Sequence, residues 1–456
     1  MINEQLKIGD VIEVEIKKIG INGEGIGYYH KLAVFVDNAL PGEVVDVKLT
    51  ELYETRGVAE IINIKVSSPD RLEVKFPSYD ACGAYSMQHL TYKRALALKR
   101  DILVNALNRY VTSKIKYAMI KPTIGMREPL GYRNKVSLPV RKIDGHNKFG
   151  LFAKGSNEFI PVNDTPVQNP RINEMVQALE LIMDETGFDA YIQKDKSGFV
   201  KSVVIRRGHF TGETQVSFLL MKHDERIELV AEKLVQKFPE IMSVYEFLTD
   251  NYKEQVFFST NSRLVYGKQT INEKINGQTF SLYPESFFQL NTVMADNFYN
   301  KMRELANLSK DDIVIDAYAG IAPVSHYIAK DCKKVYAIEI DQRSVQSAIL
   351  SLKRNNIKNV TVLQSDFTKA LKNLEEKSID AMFFDPPRTG LGYETIKQVL
   401  KYKPKKLIYG SCNPSTLAKD LEMLLKVYDL KEIVPLDMFP YTPLVESVSL
   451  LVLKDE

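Results

Sequence analysis

Two residues near the carboxyl-terminal end of the sequence combine a nucleophile with a base. Cys412 ends the apolar run KKLIYGSC and precedes Asn413-Pro414, where a helix is predicted to begin. A helix N-terminus favours the thiolate, which is the nucleophilic form of cysteine. Glu446 precedes the apolar run SVSLLVL, and a partly buried carboxylate there can act as a base. The pair predicts covalent catalysis, although a buried cysteine is more often a small apolar side chain.

A second polar motif follows the preceding apolar run. The run MFF ends in Asp385-Pro386-Pro387-Arg388, and a segment of helical character separates it from the run LIY that leads to Cys412. Short apolar runs joined in this way are typical of adjacent buried parallel strands. Since the carboxyl ends of such strands line the ligand crevice of an open α/β sheet, we expect Asp385 and Cys412 to face one site.

The elements that must position these residues alternate between strands and helices. Helices are predicted at 342–355 and 414–427, between strands at 312–320, 334–341, 359–366, 379–387, 405–412 and 447–453. Repeated βα units predict a doubly wound, largely parallel sheet. We assign this α/β domain to residues 276–456.

The first two strands of this domain carry features of a cofactor site. Gly320 follows the first strand in a turn, and Glu339 ends the second strand, where an acid can accept hydrogen bonds from ribose hydroxyls. The GxGxxG fingerprint of nicotinamide dehydrogenases is absent, whereas an acid after strand two and Asp-Pro-Pro after strand four are typical of S-adenosylmethionine folds. Ala322 narrows the loop and Pro323 removes an amide donor, although Pro323 suits the first position of a helix. We expect S-adenosylmethionine, held differently from usual, rather than a sheet that has lost its ligand.

The amino-terminal residues 1–65 predict a separate β-module. Strands are expected at 11–16, 32–40, 44–49 and 57–64, with glycine turns between them. The string IGINGEGIG, followed by VFVDNALPGE, resembles a TRAM domain, an OB-like RNA-binding barrel. The alternative is a glycine-rich hairpin with no such role.

The central residues 66–275 predict a mixed α/β domain. Its helices are expected at 90–110, 170–186 and 225–238, and its strands at KVSLPV, FGLFAK, VKSVVIRR, TQVSFLLM and QVFFST. Helix 90–110 has an apolar stripe suited to packing on the carboxyl-terminal domain, and its basic residues are expected on a solvated face or against phosphate: Lys93, Arg94, Lys99 and Arg100. The motif GYRNK at 131–135 places cations beside an aromatic ring and an amide, a mixture that suits RNA.

Composition narrows the class of protein. The 456 residues are 45% apolar and 26% charged with a net charge of +3, as in a soluble protein of two or three domains whose basic surfaces are local. The sequence has no long apolar run and no secretion signal at its start. Three widely spaced cysteines favour a reducing compartment over a disulfide framework: Cys82, Cys332 and Cys412. We expect a cytoplasmic monomer without membrane contact.

A cysteine, a carboxylate and a methyl donor together suit methylation at a pyrimidine carbon. C5 of uracil is a poor nucleophile, and thiolate addition at C6 converts the ring to an enolate that can attack a methyl sulfonium. A base must then remove the C5 proton so that the cysteine is released. Because C6 is out of reach inside a stacked helix, the uridine must be unpaired or flipped out.

Motifs along the whole chain are similar to those of one enzyme family. They are GYRNKVSLPV, YPESFFQLN, DAYAG, YAIEID, FFDPPRTGL, YGSCNPSTLAKDL and DMFPYTPLVESV. With them the chain resembles an RNA (uracil-5-)-methyltransferase of the 23S rRNA type, in which a TRAM barrel and a central RNA-binding domain precede a class I (Rossmann-like) methyltransferase domain. The resemblance implies methylation of uridine C5 in 23S rRNA through a covalent Cys–C6 adduct.

The resemblance also implies roles for individual residues. Cys412 matches the nucleophile and Glu446 the general base. Positions that contact the cofactor are matched by Gln289, Tyr318, Glu339, Asp366 and Asp385. Glu339 would hold the ribose, Asp366 would lie near the adenine, and Asp385 near the methionine end and the uracil. The structural alternatives are a cap amide for Gln289, a core ring for Tyr318 and a helix N-cap for Asp366.

Two features depart from the family pattern. Many relatives bind a 4Fe–4S cluster through four cysteines, whereas the corresponding positions here hold Phe76, Cys82, Tyr85 and Thr165. One thiol cannot hold such a cluster, so we predict no iron–sulfur cluster and no metal. The loop residues Ala319, Ala322 and Pro323 also replace the usual cysteine, glycine and polar residue, which bears on cofactor affinity.

Three other functions remain possible. A tRNA uridine-C5 methyltransferase has the same chemistry, but tRNA-type relatives usually lack the TRAM-like module, which favours rRNA. A non-catalytic RNA-binding assembly factor would keep the fold with a weakened cofactor loop, and it would not need Cys412, Glu446 and Asp385 together. An amino-group methyltransferase usually has an aromatic residue where Arg388 follows Asp-Pro-Pro, and it leaves Cys412 without a role.

Overall fold

The computed structural model describes residues 6–76, 79, 81–83, 85–113, 115–153, 155–253, 256–374, 376 and 378–455. Within these residues the strands form a closed five-stranded barrel, two seven-stranded sheets and a separate hairpin. None of the helices described is both long and apolar enough to cross a membrane.

The barrel is built from the first five strands. They are β1 (Val11–Ile19), β2 (Gly25–Tyr29), β3 (Leu32–Val36), β4 (Val44–Leu52) and β5 (Arg56–Val66), in the order β1-β2-β3-β5-β4. Alternate residues of each strand point inward, so the barrel interior is filled by aliphatic side chains such as Val14, Val34 and Val47. The predicted all-β module is therefore present.

Strand β2 was not expected, because its glycines were interpreted as turn residues. A Cβ on Gly27 would lie 2.3 Å from Cγ1 of Val14 and 2.5 Å from the carbonyl oxygen of Glu15. Glycine thus lets β2 approach β1 closely beside the irregularity between Ile16 and Lys18. The interpretation as turns alone is wrong.

Helix α1 (Tyr92–Tyr110) connects the amino-terminal part of the chain to the carboxyl-terminal sheet. Thr91 caps it by accepting a hydrogen bond from the amide of Arg94. Its buried face packs against the helix at Pro414–Leu424, with Leu103 and Leu107 in the same core cluster as that helix. The expected solvated or phosphate-binding position of Lys99 is wrong, since its side chain is fully buried.

The central sheet has the order β12-β11-β10-β9-β6-β7-β8. Its strands are β6 (Lys135–Ile143), β7 (His146–Phe152), β8 (Phe159–Pro161), β9 (Val200–Arg207), β10 (Thr214–Leu220), β11 (Ile241–Leu248) and β12 (Asn261–Gly267). Helices α2 (Pro170–Thr186) and α3 (Arg226–Lys237) cover one face, where aliphatic side chains of both layers form one core. The strand expected at QVFFST is wrong, because the described residues 256–260 are not a strand and β12 follows them.

The carboxyl-terminal part begins with a hairpin and continues as a wound sheet. The hairpin is β13 (Ile271–Ile275) with β14 (Gln278–Leu282), so the boundary expected between residues 275 and 276 falls in its turn. The following strands are β15 (Ile313–Ala317), β16 (Lys334–Glu339), β17 (Val360–Gln364), β18 (Ala381–Phe384), β19 (Lys406–Ser411), β20 (Tyr428–Leu436) and β21 (Glu446–Leu453). The three-domain division stays a prediction.

Helices lie between most of these strands. They are α4 (Thr292–Ala306), α5 (Pro323–Ile328), α6 (Gln342–Arg354), α7 (Phe367–Asn373), α8 (Gly392–Tyr402) and α9 (Pro414–Leu424). The sheet order is β17-β16-β15-β18-β19-β21-β20, and β21 runs antiparallel to both of its neighbours. The expected largely parallel sheet is present, with β21 inserted beside β19.

Candidate active site

The register of β19 and β21 brings Cys412 close to Glu446. Tyr409 pairs with Ser449, Gly410 with Val448 and Ser411 with Ser447, and the ladder ends there. Cys412 directly follows the last pair and Glu446 directly precedes it, so the ladder continued by one position would set them opposite each other, and the charge of Glu446 acts on the Cys412 thiol. The ladder thereby brings together a thiol and a carboxyl group that are far apart in sequence.

The loop after β18 is tied to the start of α9. Asn413 caps α9 through its side-chain oxygen, which accepts from the amide of Ser415 at 3.0 Å. Its side-chain nitrogen donates to the carbonyl of Arg388 at 3.1 Å, and the Thr416 hydroxyl donates to the same oxygen at 3.2 Å. The loop that carries Asp385 and the turn that carries Cys412 are therefore held together, as the strand-end argument predicts.

Burial and mutual repulsion shift the three acidic groups of this site. Burial raises the pKa of Cys412 to about 11, with further contributions from Glu446 and Asp385, while Arg388 acts in the opposite direction. Burial, assisted by Asp385, raises the pKa of Glu446 to about 8. Burial alone raises the pKa of Asp385 to about 6. Strongly perturbed groups gathered in one crevice are typical of catalytic sites.

The pKa of Cys412 is expected to follow the charges around it. Replacing Glu446 by glutamine removes a negative charge that favours the neutral thiol, so the pKa of Cys412 should fall. Replacing Arg388 by glutamine should raise it. The measurement is the pH profile of iodoacetamide alkylation in a protein whose Cys82 and Cys332 are alanine. Equal profiles for both variants would contradict the arrangement.

A buried lysine holds the segment that leads into Glu446. The ammonium group of Lys99 on α1 forms an ion pair with Asp437 and donates to the carbonyls of Phe439 at 3.0 Å and Leu444 at 2.7 Å. The Tyr92 hydroxyl donates to Asp437 at 2.8 Å. In this way α1 fixes both ends of the connection between β20 and β21.

Removing the ammonium group should destabilise the protein. In Lys99→Met the carboxylate of Asp437 stays buried without its cation, which we expect to lower the free energy of unfolding by about 3–5 kcal/mol. Urea unfolding, monitored by far-UV circular dichroism, measures this change. The exposed Lys93 of the same helix, changed to methionine, is the control. The double variant Lys99→Met with Asp437→Leu should recover part of the lost stability. Equal stability of Lys99→Met and the control Lys93→Met would contradict the role of the Lys99–Asp437 ion pair.

The loop after β15 forms an open cradle at the sheet edge. Gly320 has a φ of 56° and its amide donates to Oε2 of Glu339 at 2.8 Å. The other oxygen of Glu339 accepts from the amides of Ile340 and Asp341, both at 2.7 Å. A Cβ on Gly320 would meet nothing within 4 Å, so the space above it is free for a ligand. Carboxylate oxygens have lone pairs left for ribose hydroxyls.

Of the two unusual loop residues, Ala322 differs from expectation and Pro323 does not. The side chain of Ala322 lies in a buried cluster with Ala319, Ala337 and Ala348, so it does not narrow the crevice as expected. Its backbone is left-handed with a φ of 61°, a conformation that usually favours glycine. Pro323 occupies the start of α5, as the sequence predicts.

The remaining predicted residues lie at neighbouring strand ends. Tyr318 hydrogen-bonds Thr395 at 3.0 Å and stacks on Phe367 with ring centroids 6.1 Å apart. Asp366 is the N-cap of α7, where its oxygen accepts from the amide of Thr368 at 3.0 Å and that of Lys369 at 3.1 Å. The Thr368 hydroxyl also donates to this oxygen, and its hydrogen bond, followed by the two capping bonds, lowers the pKa of Asp366. The structural alternative for Asp366 thus applies, although a capping carboxylate can also face a ligand.

Gln289 is linked to the carboxyl groups of this site through a tyrosine that the sequence did not single out. The buried Gln289 side chain hydrogen-bonds the hydroxyl of Tyr299 on α4. Burial and the charges of Asp385, Asp316 and Glu446 raise the pKa of Tyr299 well above its usual value. Tyr299 therefore lies among the carboxyl groups as a neutral hydroxyl.

Two residues of the GYRNK motif, Tyr132 and Asn134, have a structural role. Tyr132 is buried and its hydroxyl donates to the carbonyl of Pro440 at 3.2 Å. Asn134 donates to the carbonyl of Gln289 at 3.0 Å and to the hydroxyl of Thr292 at 2.8 Å. The expectation that these two side chains present an RNA surface is wrong. They join the central sheet to the carboxyl-terminal part.

Aromatic rings surround the positions that hold cysteines in many relatives. Phe76 stacks on Tyr79 with centroids 5.7 Å apart, and Tyr85 contacts Tyr441 edge-on at 4.8 Å. Among the described residues, no group of three or more histidine, cysteine or acidic side chains could hold a metal ion. The predicted lack of an iron–sulfur cluster stays a prediction, which iron analysis of the purified protein can test.

Comparisons with known proteins agree with this geometry. A model of the tRNA (uracil-5-)-methyltransferase family matches residues 91–454, and a TRAM domain model matches residues 5–62. An uncharacterised RNA methyltransferase of Halalkalibacterium halodurans is 35% identical over 454 residues, which cover 99% of this chain and 98% of the relative. One of Listeria monocytogenes is 34% identical over 453 residues, 98% of both chains.

A solved structure extends the likeness to three dimensions. The Pyrococcus abyssi tRNA (uracil-54, C5)-methyltransferase in complex with S-adenosyl-L-homocysteine has a TM-score of 0.74 and 27% identity, over 97% of this chain and 100% of that one. The predicted class I methyltransferase fold and the S-adenosylmethionine cofactor are thereby confirmed. The chain belongs to the tRNA (uracil-5-)-methyltransferase family of S-adenosylmethionine-dependent RNA methyltransferases, and it carries an amino-terminal TRAM domain.

Proposed function

We propose that this enzyme methylates C5 of uridine through a covalent adduct between Cys412 and C6. The observation that supports the proposal is the register of β19 and β21, whose last pair, Ser411 with Ser447, is followed by Cys412 and preceded by Glu446. Oε2 of Glu446 is buried and has no hydrogen-bond partner in the described part of the chain. An unpaired buried carboxyl oxygen is energetically unfavourable, and a substrate proton at this point would satisfy it.

The residues at the strand ends are suited to the cofactor. The Glu339 carboxylate would accept from the ribose hydroxyls, with Gln289, Tyr318 and Asp366 around the rest of the molecule and Asp385 nearest the uracil. When bound, S-adenosylmethionine supplies an electrophilic methyl group to C5. The open space above Gly320 and the free oxygen of Glu446 both fit a site that is completed by ligands.

The covalent step uses the cysteine as a temporary electron donor. The Cys412 thiol gives up its proton to solvent, the thiolate sulfur forms a bond to C6, and the C5–C6 π electrons move toward C5 and the O4 oxygen. Burial raises the pKa of Cys412 to about 11, so the expectation that the helix start makes the thiolate the favoured form is wrong for the protein without substrate. Arg388 acts in the opposite direction and favours the thiolate. The ring is then nucleophilic at C5.

Glu446 completes the reaction as a base. After methylation C5 carries both a methyl group and a proton, and the Glu446 carboxylate accepts that proton. The electron pair of the C5–H bond re-forms the C5–C6 double bond, and the sulfur leaves C6. A raised pKa near neutrality suits a group that must take up a proton.

We propose 23S rRNA as the substrate, with tRNA as the second candidate. The TRAM domain favours rRNA by family resemblance. The tRNA candidate is favoured by the Pyrococcus abyssi enzyme, whose likeness covers 97% of this chain and so extends into the barrel. This likeness to a tRNA enzyme is the observation that makes tRNA the second candidate.

Mapping 5-methyluridine in total RNA separates these candidates. RNA from cells with and without the gene is divided into rRNA and tRNA, and 5-methyluridine is located by mass spectrometry of nuclease fragments. Loss of a 23S rRNA site that wild-type protein restores supports the first proposal. Loss confined to tRNA favours the second. No change in either fraction would contradict both.

A further inference from the structure

The central sheet has a cavity on the face opposite its helices. Along β6, Val136, Leu138 and Val140 point into the core under α2 and α3, whereas the alternate residues Ser137, Pro139 and Arg141 line a cavity of about 610 Å³. This volume lies within the ~300–1,000 Å³ range of small-molecule sites. The open face of the sheet is therefore shaped to take a ligand of nucleotide size.

The cavity lining combines aromatic rings with positive charge. Four rings contribute to it: Phe152, Phe159, Tyr252 and Phe257. Three cations accompany them: Arg141, Lys201 and Lys253. Among the described residues of the lining, none is acidic. Rings that stack on bases, next to cations that meet phosphates, are the combination by which proteins bind single-stranded nucleic acid.

Arg141 holds a central position in this lining. Its guanidinium carbon lies 5.7 Å from the ring centroid of Phe152 and 5.6 Å from that of Tyr252. Such cation–π contacts orient the planes on which a base can stack. The hydroxyl oxygen of Ser202, in the same cavity wall, is buried and has no hydrogen-bond partner among the residues that the structure describes.

The cavity is connected to the catalytic site through a short stretch of chain. Cys82 lines the cavity, and Tyr85, three residues further on, contacts Tyr441 with ring centroids 4.8 Å apart. Tyr441 belongs to the connection that Lys99 fixes and that ends at Glu446. Tyr85 lies three positions after Cys82 and Glu446 lies five positions after Tyr441, so a short path through the chain and one ring contact joins the two sites.

We infer that this cavity binds an unpaired nucleotide of the substrate RNA, other than the uridine that is methylated, with its base on the rings of Phe152 and Tyr252 and its phosphate near Arg141 and Lys253. The inference rests on the proposed function, since it assumes an RNA substrate with a flipped uridine. It explains how the enzyme keeps an unpaired segment in place while the uridine is in the active site.

The test compares binding and turnover in matched variants. Tyr252→Ala removes a stacking ring and Lys253→Ala a cation of the cavity, while Lys237→Ala removes an exposed cation on the helical side of the same sheet. Fluorescence anisotropy with a labelled uridine dodecamer gives Kd for each protein. Loss of base stacking should raise Kd about 5- to 150-fold in Tyr252→Ala, while Lys237→Ala stays within about twofold of wild type. The Kd of Lys253→Ala should become less dependent on salt.

Crosslinking and kinetics provide the second readout. A 4-thiouridine dodecamer irradiated with the wild-type protein should crosslink to peptides that contain Phe152 or Tyr252. Methyl transfer to undermethylated bulk RNA should show a higher KM and an unchanged kcat in Tyr252→Ala. Equal Kd values for all variants, or crosslinks confined to other peptides, would overturn the inference while wild-type turnover upheld the proposed function. Absence of turnover in the wild type would instead count against the proposed function.

Discussion

Cys412→Ala is expected to reduce methyl transfer by roughly 10,000-fold or more, because removing a covalent nucleophile usually abolishes the pathway it serves. Without the sulfur, C5 of uracil stays electron-poor and does not attack the methyl donor. The change is small in volume and lies at a partly buried position, so the fold should be retained. Single-turnover transfer of a tritiated methyl group to undermethylated RNA measures the effect.

Cys332→Ala is the matched control for this prediction. Cys332 is also buried, but it lies in the core beside Val335 and Ile328, and burial raises the pKa of its thiol to about 12. This variant should methylate RNA at close to the wild-type rate. Binding of S-adenosylhomocysteine should be the same in both alanine variants. Wild-type turnover by Cys412→Ala would rule out the covalent route.

Glu446→Gln is expected to trap the enzyme on its RNA. The amide cannot accept the C5 proton, so the sulfur cannot leave C6 and the methylated adduct accumulates. The variant should therefore give a slowly migrating protein–RNA band on a denaturing gel, at close to one RNA per protein, and multiple turnover should fall by about 100- to 10,000-fold. Tritium from the methyl donor should migrate with that band.

Glu432→Gln provides the control on the neighbouring strand. Glu432 lies on β20, where it is paired with Lys121 at 3.5 Å, and the same change there should give no adduct. The double variant Glu446→Gln with Cys412→Ala should also give none, because the adduct needs the sulfur. An adduct as rare in Glu446→Gln as in wild type would show that another group removes the C5 proton.

The sequence was sufficient to predict that Asp385 and Cys412 lie at the same edge of the sheet and face one site. Each residue ends a buried parallel strand, and neighbouring strands of this kind end at one edge of the sheet. It was not sufficient to show that Cys412 lies close to Glu446. That proximity depends on β21 entering antiparallel beside β19 and on its register, and a shift of one residue would turn Glu446 to the other face.

The burial of Lys99 was not predicted from the sequence, although its position in the helix indicated it. In the sequence it lies one residue after Leu98 and three before Ile102, within the stripe that α1 buries, so its position carried a signal of burial. Its partner Asp437 is 338 residues away and becomes adjacent only in the folded protein. The usual rule that lysine lies on the solvated face failed here because an aspartate is buried with it.

Other elements were missed because their signals are weak or non-local. Strand β20 has an irregularity between Leu430 and Glu432, which interrupts the alternation of apolar residues that a strand prediction needs. The cavity of the central sheet draws its lining from residues scattered between Cys82 and Phe257, and the motif GYRNKVSLPV contributes only Ser137 and Pro139 to it. Such a site can be found only after the strands are placed side by side.

The backbone hydrogen bonds between β19 and β21 determine how the two strands are aligned with each other. The distance between the Cys412 and Glu446 backbones is determined by peptide groups, which every residue type provides, so side-chain exchanges along the two strands should leave it unchanged. Deletion of one residue between Glu446 and Leu453 should instead shift the register by one residue and turn Glu446 to the other face of the sheet. We therefore expect the proposed reaction to tolerate conservative substitutions along these strands and to be lost on a change of strand length.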